Sequence, residues 1–203
     1  MQIATELIQC PICAVRRLNR KLLSANSRGA RYYTDGYIFP GYPLFVKCPD
    51  CGAVFKAADY DVSGETGEGV EYYTPMTVKE YRKAIEKGFA NAADGDIIAL
   101  RLELWRTFHN PVRDADAGER ATPWKGAKEK AAYTGNCLEL LRLTENCQDD
   151  EVLLTRAELY RNLGEFDKCK QTLSLITQSD DYESFIAGLL EACAKRKKRT
   201  FRL

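Results

Sequence analysis

Histidine is nearly missing: the 203 residues contain one, His109. A Ser/His/Asp or Cys/His constellation would have to pass through that residue, and no nucleophile elbow surrounds it. Glycine-rich phosphate loops of either common spacing are absent, which removes the usual sequence sign of nucleotide chemistry. No apolar run approaches the length of a membrane span. The opening, Met1 to Glu6, lacks the basic start and apolar stretch of a secretory signal, so the expected setting is cytoplasmic with no membrane partner. An excess of one charge is also lacking. Lys and Arg number 30 against 29 Asp and Glu, a net of +1, so overall charge demands no polyanionic partner. With 45% hydrophobic and 29% charged residues, the composition is that of a globular chain able to bury one or two cores.

Cysteine, by contrast, is plentiful: there are eight. Four stand in two hooks, Cys10-Pro11-Ile12-Cys13 and Cys48-Pro49-Asp50-Cys51-Gly52. Without an export signal, paired Cys-x-x-Cys favours metal over disulfides. A two-residue spacer lets one tight turn aim both sulfurs at one ion, and zinc takes four soft ligands in a tetrahedron. Proline after the first cysteine pre-sets a turn dihedral, and Gly52 lets the backbone fold under the metal. The expectation is one structural Zn2+ held by Cys10, Cys13, Cys48 and Cys51. Four thiolates leave no open position for catalysis. The interval between the hooks exceeds the usual ribbon spacing, so residues 14–47 carry an insertion. Cys137, Cys147, Cys169 and Cys193 lie in helical sequence and read as small buried apolar residues.

Periodicity divides the chain into an α+β protein: a small β-rich zinc ribbon over residues 1–62, a linker or hairpin over 63–76, and an all-α domain over 77–203 ending in a basic tail. Val15, Leu18 and Leu22 lie one helical turn apart, so Val15 to Ser24 reads as a brief helix or an extended arm. Tyr32 to Val46 is rich in aromatic and β-branched residues, cut by Asp35-Gly36 and Pro40-Gly41 into short strands. Thr77 with Glu80 has capping-box spacing and opens a helix bearing Tyr81, Ala84, Ile85, Gly88 and Phe89 on one face. Asp94-Gly95-Asp96 ends it and caps a second helix, Ile97 to Phe108, although Leu100 to Leu104 also alternates as a strand would. Asn110-Pro111 stops that helix. His109, at its end, is expected to cap a carbonyl or favour the dipole. Asp114, Asp116 and Glu119 make a solvated acidic turn. Thr122-Pro123 is an expected N-cap with proline in the first turn, followed by a stripe of Trp124, Ala127, Ala131, Leu138 and Leu141. Trp105, Tyr81, Phe89 and Trp124 read as core.

Two basic clusters stand out. Arg16, Arg17, Arg20, Lys21, Arg28 and Arg31 form one, and Lys195, Arg196, Lys197, Lys198 and Arg199, with Arg202 beyond, form the other. Their plain account is a solvated surface and a frayed tail. Their sharper account is phosphate contact, with Tyr32, Tyr33, Tyr37 and Phe39 available for stacking on single strands.

The run from Ala157 to Cys169 (Ala-Glu-Leu-Tyr-Arg-Asn-Leu-Gly-Glu-Phe-Asp-Lys-Cys) resembles the middle of a tetratricopeptide repeat. Small Ala157 and Cys169 let two helices cross closely, Tyr160 fills between them, Gly164 ends the first and Phe166 tucks under the turn. Leu173 and Ile176 continue the second helix's buried face. One copy is clear, which makes a helical hairpin and not a repeat array. With both hooks, Leu100 to Arg113 and Asn136 to Ile176, the chain resembles a group of uncharacterised bacterial proteins that join a zinc ribbon to a tetratricopeptide-like helical region. The resemblance implies architecture and a bacterial setting; it implies no activity.

The expected function is therefore non-enzymatic: a zinc ribbon with a helical scaffold that binds another protein. Second comes a nucleic-acid-binding accessory factor using the two basic clusters. A thiol redox protein or other enzyme ranks last.

Overall fold

In the computed structural model of this chain, residues 2–24, 30–39, 41–62, 69–90, 92–93, 95–115, 121–177 and 182–203 are described. Six short strands come first: β1 Gln2–Gln9, β2 Arg16–Ser24, β3 Arg31–Tyr32, β4 Ile38–Phe39, β5 Phe45–Lys47 and β6 Val54–Lys56. A 3-10 turn, Ala57–Tyr60, follows. Then come α1 Val78–Lys87, α2 Asp96–Phe108, α3 Asn110–Asp114, α4 Gly126–Leu143, α5 Asp150–Leu163, α6 Phe166–Leu173 and α7 Glu183–Ala194. The strands pair as three two-stranded sheets, β1 with β2, β3 with β4, and β5 with β6. The chain is thus mixed α+β. It divides into two compact units, Met1–Ala30 with Phe39–Leu104, and Arg31–Ile38 with Trp105–Leu203. This division falls inside α2 and inside the inter-hook insertion, unlike the expected segments 1–62, 63–76 and 77–203.

In the first unit each cysteine hook is the turn of an antiparallel hairpin. β1 pairs with β2 from Gln9 opposite Arg16 outward, which places Leu7 opposite Leu18. The Val15 to Ser24 stretch is thus a strand and not a helix, because the hook folds it back along β1 and strand pairing satisfies its backbone. β5 and β6 pair from Lys47 opposite Val54 to Phe45 opposite Lys56. Phe45, Val46 and Phe55 are fully buried. Phe55 takes Tyr60 and Tyr73 edge-on at 5.3 and 5.9 Å between ring centroids, a favourable aromatic geometry. Residues 63–68 of the expected linker lie outside the described residues. Residues 69–76 are not a free linker: the Leu18 amide donates to the Glu71 carbonyl and the Tyr73 amide to the Leu18 carbonyl, both at 2.9 Å. Tyr73 and Met76 are buried, so this stretch covers the second edge of β2.

α1 starts with the expected capping box, the Thr77 hydroxyl accepting from the Glu80 amide while the Glu80 carboxylate takes the Thr77 amide. α2 is a helix and not a strand, and it buries Leu100 and Leu104 at a spacing of four. Asp94 lies outside the described residues. Asp96 accepts the Ala93 amide at 2.9 Å at the start of α2.

In the second unit β3 and β4 turn at Asp35-Gly36, where Gly36 has φ 71° and donates to the Tyr33 carbonyl at 2.9 Å. The C-terminal residues pair with this hairpin: the Thr34 amide donates to Phe201 and the Leu203 amide to Tyr32. α2 ends at Phe108, as expected ahead of Asn110-Pro111, and a separate short helix, α3, starts there. Pro111 sits in the first turn of α3, where its missing amide costs nothing. Asp116 and Glu119 lie outside the described residues. The expected cap at Thr122 is also displaced, since α4 begins at Gly126 and the Thr122 hydroxyl bonds the Trp124 carbonyl at 2.7 Å. The buried face of α4 is Tyr133, Asn136, Cys137 and Leu140, whereas Ala127, Ala131 and Leu138 are exposed. The apolar stripe misled because the packed face carries polar-tipped residues whose partners are remote in sequence.

α5 and α6 form the expected hairpin. Asp149 caps α5, and Gly164 ends it in the left-handed region at φ 89°. The Gly164 and Glu165 amides close onto Arg161 and Tyr160 at 2.9 Å, a Schellman ending. Leu153, Ala157, Phe166, Cys169, Leu173 and Ile176 share one core with Leu189 and Cys193 of α7, and Tyr160 packs against its side.

His109 neither caps a carbonyl nor faces solvent. It is fully buried, with Nδ1 2.8 Å from Asp35 Oδ2 and Nε2 3.0 Å from the Tyr133 hydroxyl. That hydroxyl donates to Asn162 Oδ1 at 2.8 Å, and Trp105 Nε1 donates to the same oxygen at 3.2 Å. Arg113 pairs with the same Asp35 oxygen. Burial alone raises the Asp35 pKa, but the His109 hydrogen bond and the His109 and Arg113 charges outweigh it and hold it at about 2. Beside this lies a second buried pair, Glu158 with Arg161. Arg161 also donates to the Lys197 and Arg199 carbonyls, and Asn162 donates to that of Lys198. The basic tail is therefore not frayed here; its backbone is bonded to α5.

Candidate metal centre

The two hooks are copies of one turn. Cys10 donates its amide to the Val15 carbonyl at 2.8 Å, and Cys48 donates to Ala53 at 2.8 Å. In each, the residue four after the first cysteine donates back to that cysteine's carbonyl at 3.0 Å, Ala14 to Cys10 and Gly52 to Cys48. The returning backbone points both sulfurs of a hook the same way. The hooks then meet face to face: Cys10 Sγ lies 3.6 Å from Cys51 Sγ, and Cys13 Sγ 3.5 Å from Cys48 Sγ. All four sulfurs lie within 4.8 Å of one another. A tetrahedral ion with sulfur at about 2.3 Å requires sulfurs about 3.8 Å apart, so the donor set fits the group. Cys10 and Cys48 are buried, while Cys13 and Cys51 are exposed, so the centre lies at the edge of the unit. The same unit's core of Ile8, Val46, Phe55, Ala57 and Tyr73 packs against Cys10 and Cys48.

The thiols do not titrate alike. Burial pushes Cys10 up. At Cys13 the Val15 amide favours the thiolate, but desolvation and the neighbouring thiols push it up to about 12. The Ala53 amide holds Cys51 below its usual range. Mutual repulsion resists four negative charges in so small a volume. A divalent ion reverses that balance, and thiols that coordinate it give up their protons.

The residues of the first basic cluster are mostly engaged with neighbours in their own unit. Arg17 pairs with Glu71, Lys21 pairs with Glu6 at 2.9 Å, and Arg16 bonds Gln9 at 3.1 Å. Arg20 lies over the Tyr72 ring at 4.8 Å. Arg28 lies outside the described residues, and Arg31 belongs to β3 in the other unit. In the second cluster, Lys195 pairs with Glu191, Arg196 stacks over Phe166 at 5.0 Å, and Lys198 reaches the Leu163 carbonyl. Lys197, Lys198 and Arg199 offer their carbonyls to α5.

Sequence reasoning missed two residues of the unit that carries the cysteine cluster. Ala14 has φ 58°, the left-handed region that glycine occupies at Gly52. Aligning the two hooks residue by residue would have exposed it. The Tyr73 hydroxyl is buried with no partner among the described residues, and nothing local in its sequence marks it. Burial, then the Cys48 and Cys10 charges, push its pKa up, so it stays a neutral phenol beside the sulfurs.

Among the described residues, no helix is long and apolar enough to cross a membrane. Compared with protein-family models, curated proteins and solved structures, the chain matches none.

Proposed function

We propose that this chain is a non-enzymatic, zinc-binding adaptor, with one structural Zn2+ holding the first unit and a tetratricopeptide-like helical unit serving as a scaffold for another protein. The observation that carries the reading is the meeting of four sulfurs from two turns that share one backbone pattern. Thiolate ligands select zinc over magnesium and calcium, and two hairpins of short strands gain much of their folding free energy from such an ion. With all four tetrahedral positions taken by protein, the ion polarises no substrate, which supports a structural and not a catalytic role. His109, enclosed between Asp35 and Tyr133, is spent on packing the second unit. The α5–α6 hairpin supports the scaffold reading because such hairpins present a groove to a peptide or helix.

The test has two arms. Elemental analysis of chain purified without added metal should return one zinc per chain, and Cys10→Ser with Cys48→Ser should abolish it. Affinity capture from the native host should retain a protein in near-stoichiometric amount. Absence of zinc, or a folded double variant, overturns the structural-ion reading. Recovery of RNA that falls away steeply as salt rises favours the nucleic-acid reading instead. That reading ranks second because Arg17, Lys21 and Lys195 already face carboxylates.

A further inference from the structure

Beside the second cysteine hook the first unit has a groove of about 720 Å³, bounded by both hooks on one side and by α1 on the other. Four lysines and one glutamate line it, a net of +3. Glu80 is already paired with Lys47 at 2.7 Å and with the α1 cap, and those bonds hold it at a pKa of about 2. Lys79, Lys83 and Lys87 are exposed and have no salt bridge among the described residues. They stand four residues apart along α1, so like charges repel down one stripe of the helix. The apolar side of the groove includes Ile12, Val54 and Phe89. Ile12 sits at the tip of the first hook and is 66% exposed, a β-branched apolar side chain offered to water.

We infer that this groove is a docking site for an extended acidic peptide segment with one apolar anchor, the carboxylates meeting the lysine stripe and the anchor lying against Ile12. The inference rests on the adaptor reading and names the chemistry of its partner. Two features select the occupant. Lysines four apart on a helix repeat every ~6 Å over ~12 Å of axis. Alternate side chains of an extended peptide repeat at about 6.6 Å, so acidic residues at every second position keep step with the stripe. A metal-thiolate cluster beside the groove would itself attract a cation, but a point charge needs no stripe about two turns long. A nucleic-acid strand fits less well, because Phe89, the only aromatic lining residue among the described residues, is taken edge-on by Phe45 at 5.4 Å and offers no stacking platform.

Fluorescence anisotropy on the full zinc-loaded chain tests this. The probes are a ten-residue peptide of alternating Glu and Ser with a central Leu, the same peptide with Ser for Leu, and a ten-nucleotide oligo-U. The Leu peptide should bind at low salt and lose roughly tenfold or more in affinity on Lys79→Glu with Lys83→Glu. It should lose a few-fold on Ile12→Ser and on removal of its Leu, while zinc content and circular dichroism stay unchanged. Should the charge reversals disturb the fold, Lys79→Gln with Lys83→Gln decides in their place. No binding, binding indifferent to the lysine variants, or oligo-U binding more tightly through the same lysines each overturns the proposal. A captured partner that ignores these substitutions overturns the groove and leaves the adaptor reading standing, whereas no captured partner overturns the adaptor reading itself.

Discussion

Ala14 and Gly52 occupy the same position in two copies of one turn, with φ of 58° and 76° and the same 3.0 Å bond from the amide back to the carbonyl of its own hook's first cysteine. Only one of them is the residue that this backbone prefers. A Cβ in the left-handed region costs about 1–2 kcal/mol, so the first hook holds strain that the second does not.

Ala14→Gly should therefore stabilise the chain by about 1 kcal/mol, and Gly52→Ala should destabilise it by a similar amount. Thermal unfolding of the zinc-loaded chain checks both. A destabilised Ala14→Gly would mean that the first hook is not the strained copy.

Tyr73 carries a second cost that a substitution can remove. Its hydroxyl is buried without a partner among the described residues, so Tyr73→Phe should be neutral or stabilising by up to about 1 kcal/mol. Chemical denaturation measures it. A loss above about 1 kcal/mol would show the phenol holding a bond to the cysteine sulfurs.

In the second unit, Asp35 joins His109 to Arg113, and its carboxyl is held at about 2 against an ordinary value of 3.8. A depressed folded-state pKa supplies stability above the unfolded value, lost as pH falls through the folded one. The second unit should thus weaken between roughly pH 4 and pH 2. Asp35→Asn takes the counter-charge from the buried Arg113 guanidinium and should cost about 3–5 kcal/mol at neutral pH while flattening that acid limb. Near-ultraviolet circular dichroism against pH, in both forms, reads the effect. An unchanged acid limb in the variant would remove Asp35 from the explanation.

Gly164 ends α5 at φ 89°, and a Cβ there would also run into the Lys198 side chain. Gly164→Ala should cost about 1–2 kcal/mol. Hydrogen exchange should report the loss at the C-terminal turn of α5, where the Gly164 and Glu165 amides close onto Arg161 and Tyr160.

What was legible in the sequence was local. The Cys-Pro-x-Cys hooks, the Thr77–Glu80 box and the Gly164 turn each complete their bonds within a few residues, so spacing alone revealed them. What was not legible joins segments far apart. Asp35 reads as a turn residue until His109, 74 positions later, is placed against it. Arg161 meets the Lys197 and Arg199 carbonyls only across 36 and 38 positions of chain. The face of α4 was mistaken for the same reason, because Tyr133 and Asn162 are worth burying only once they bond one another. The tail's sequence displays basic side chains, yet its backbone is what α5 binds.

The central claim, one zinc ion in a shell of four cysteine sulfurs, is tested most directly by X-ray absorption at the zinc edge of the purified chain. Four sulfur scatterers at about 2.3 Å and no light-atom ligand are expected. A shell with fewer sulfurs completed by nitrogen or oxygen, or a fully folded chain that holds no metal, would contradict it.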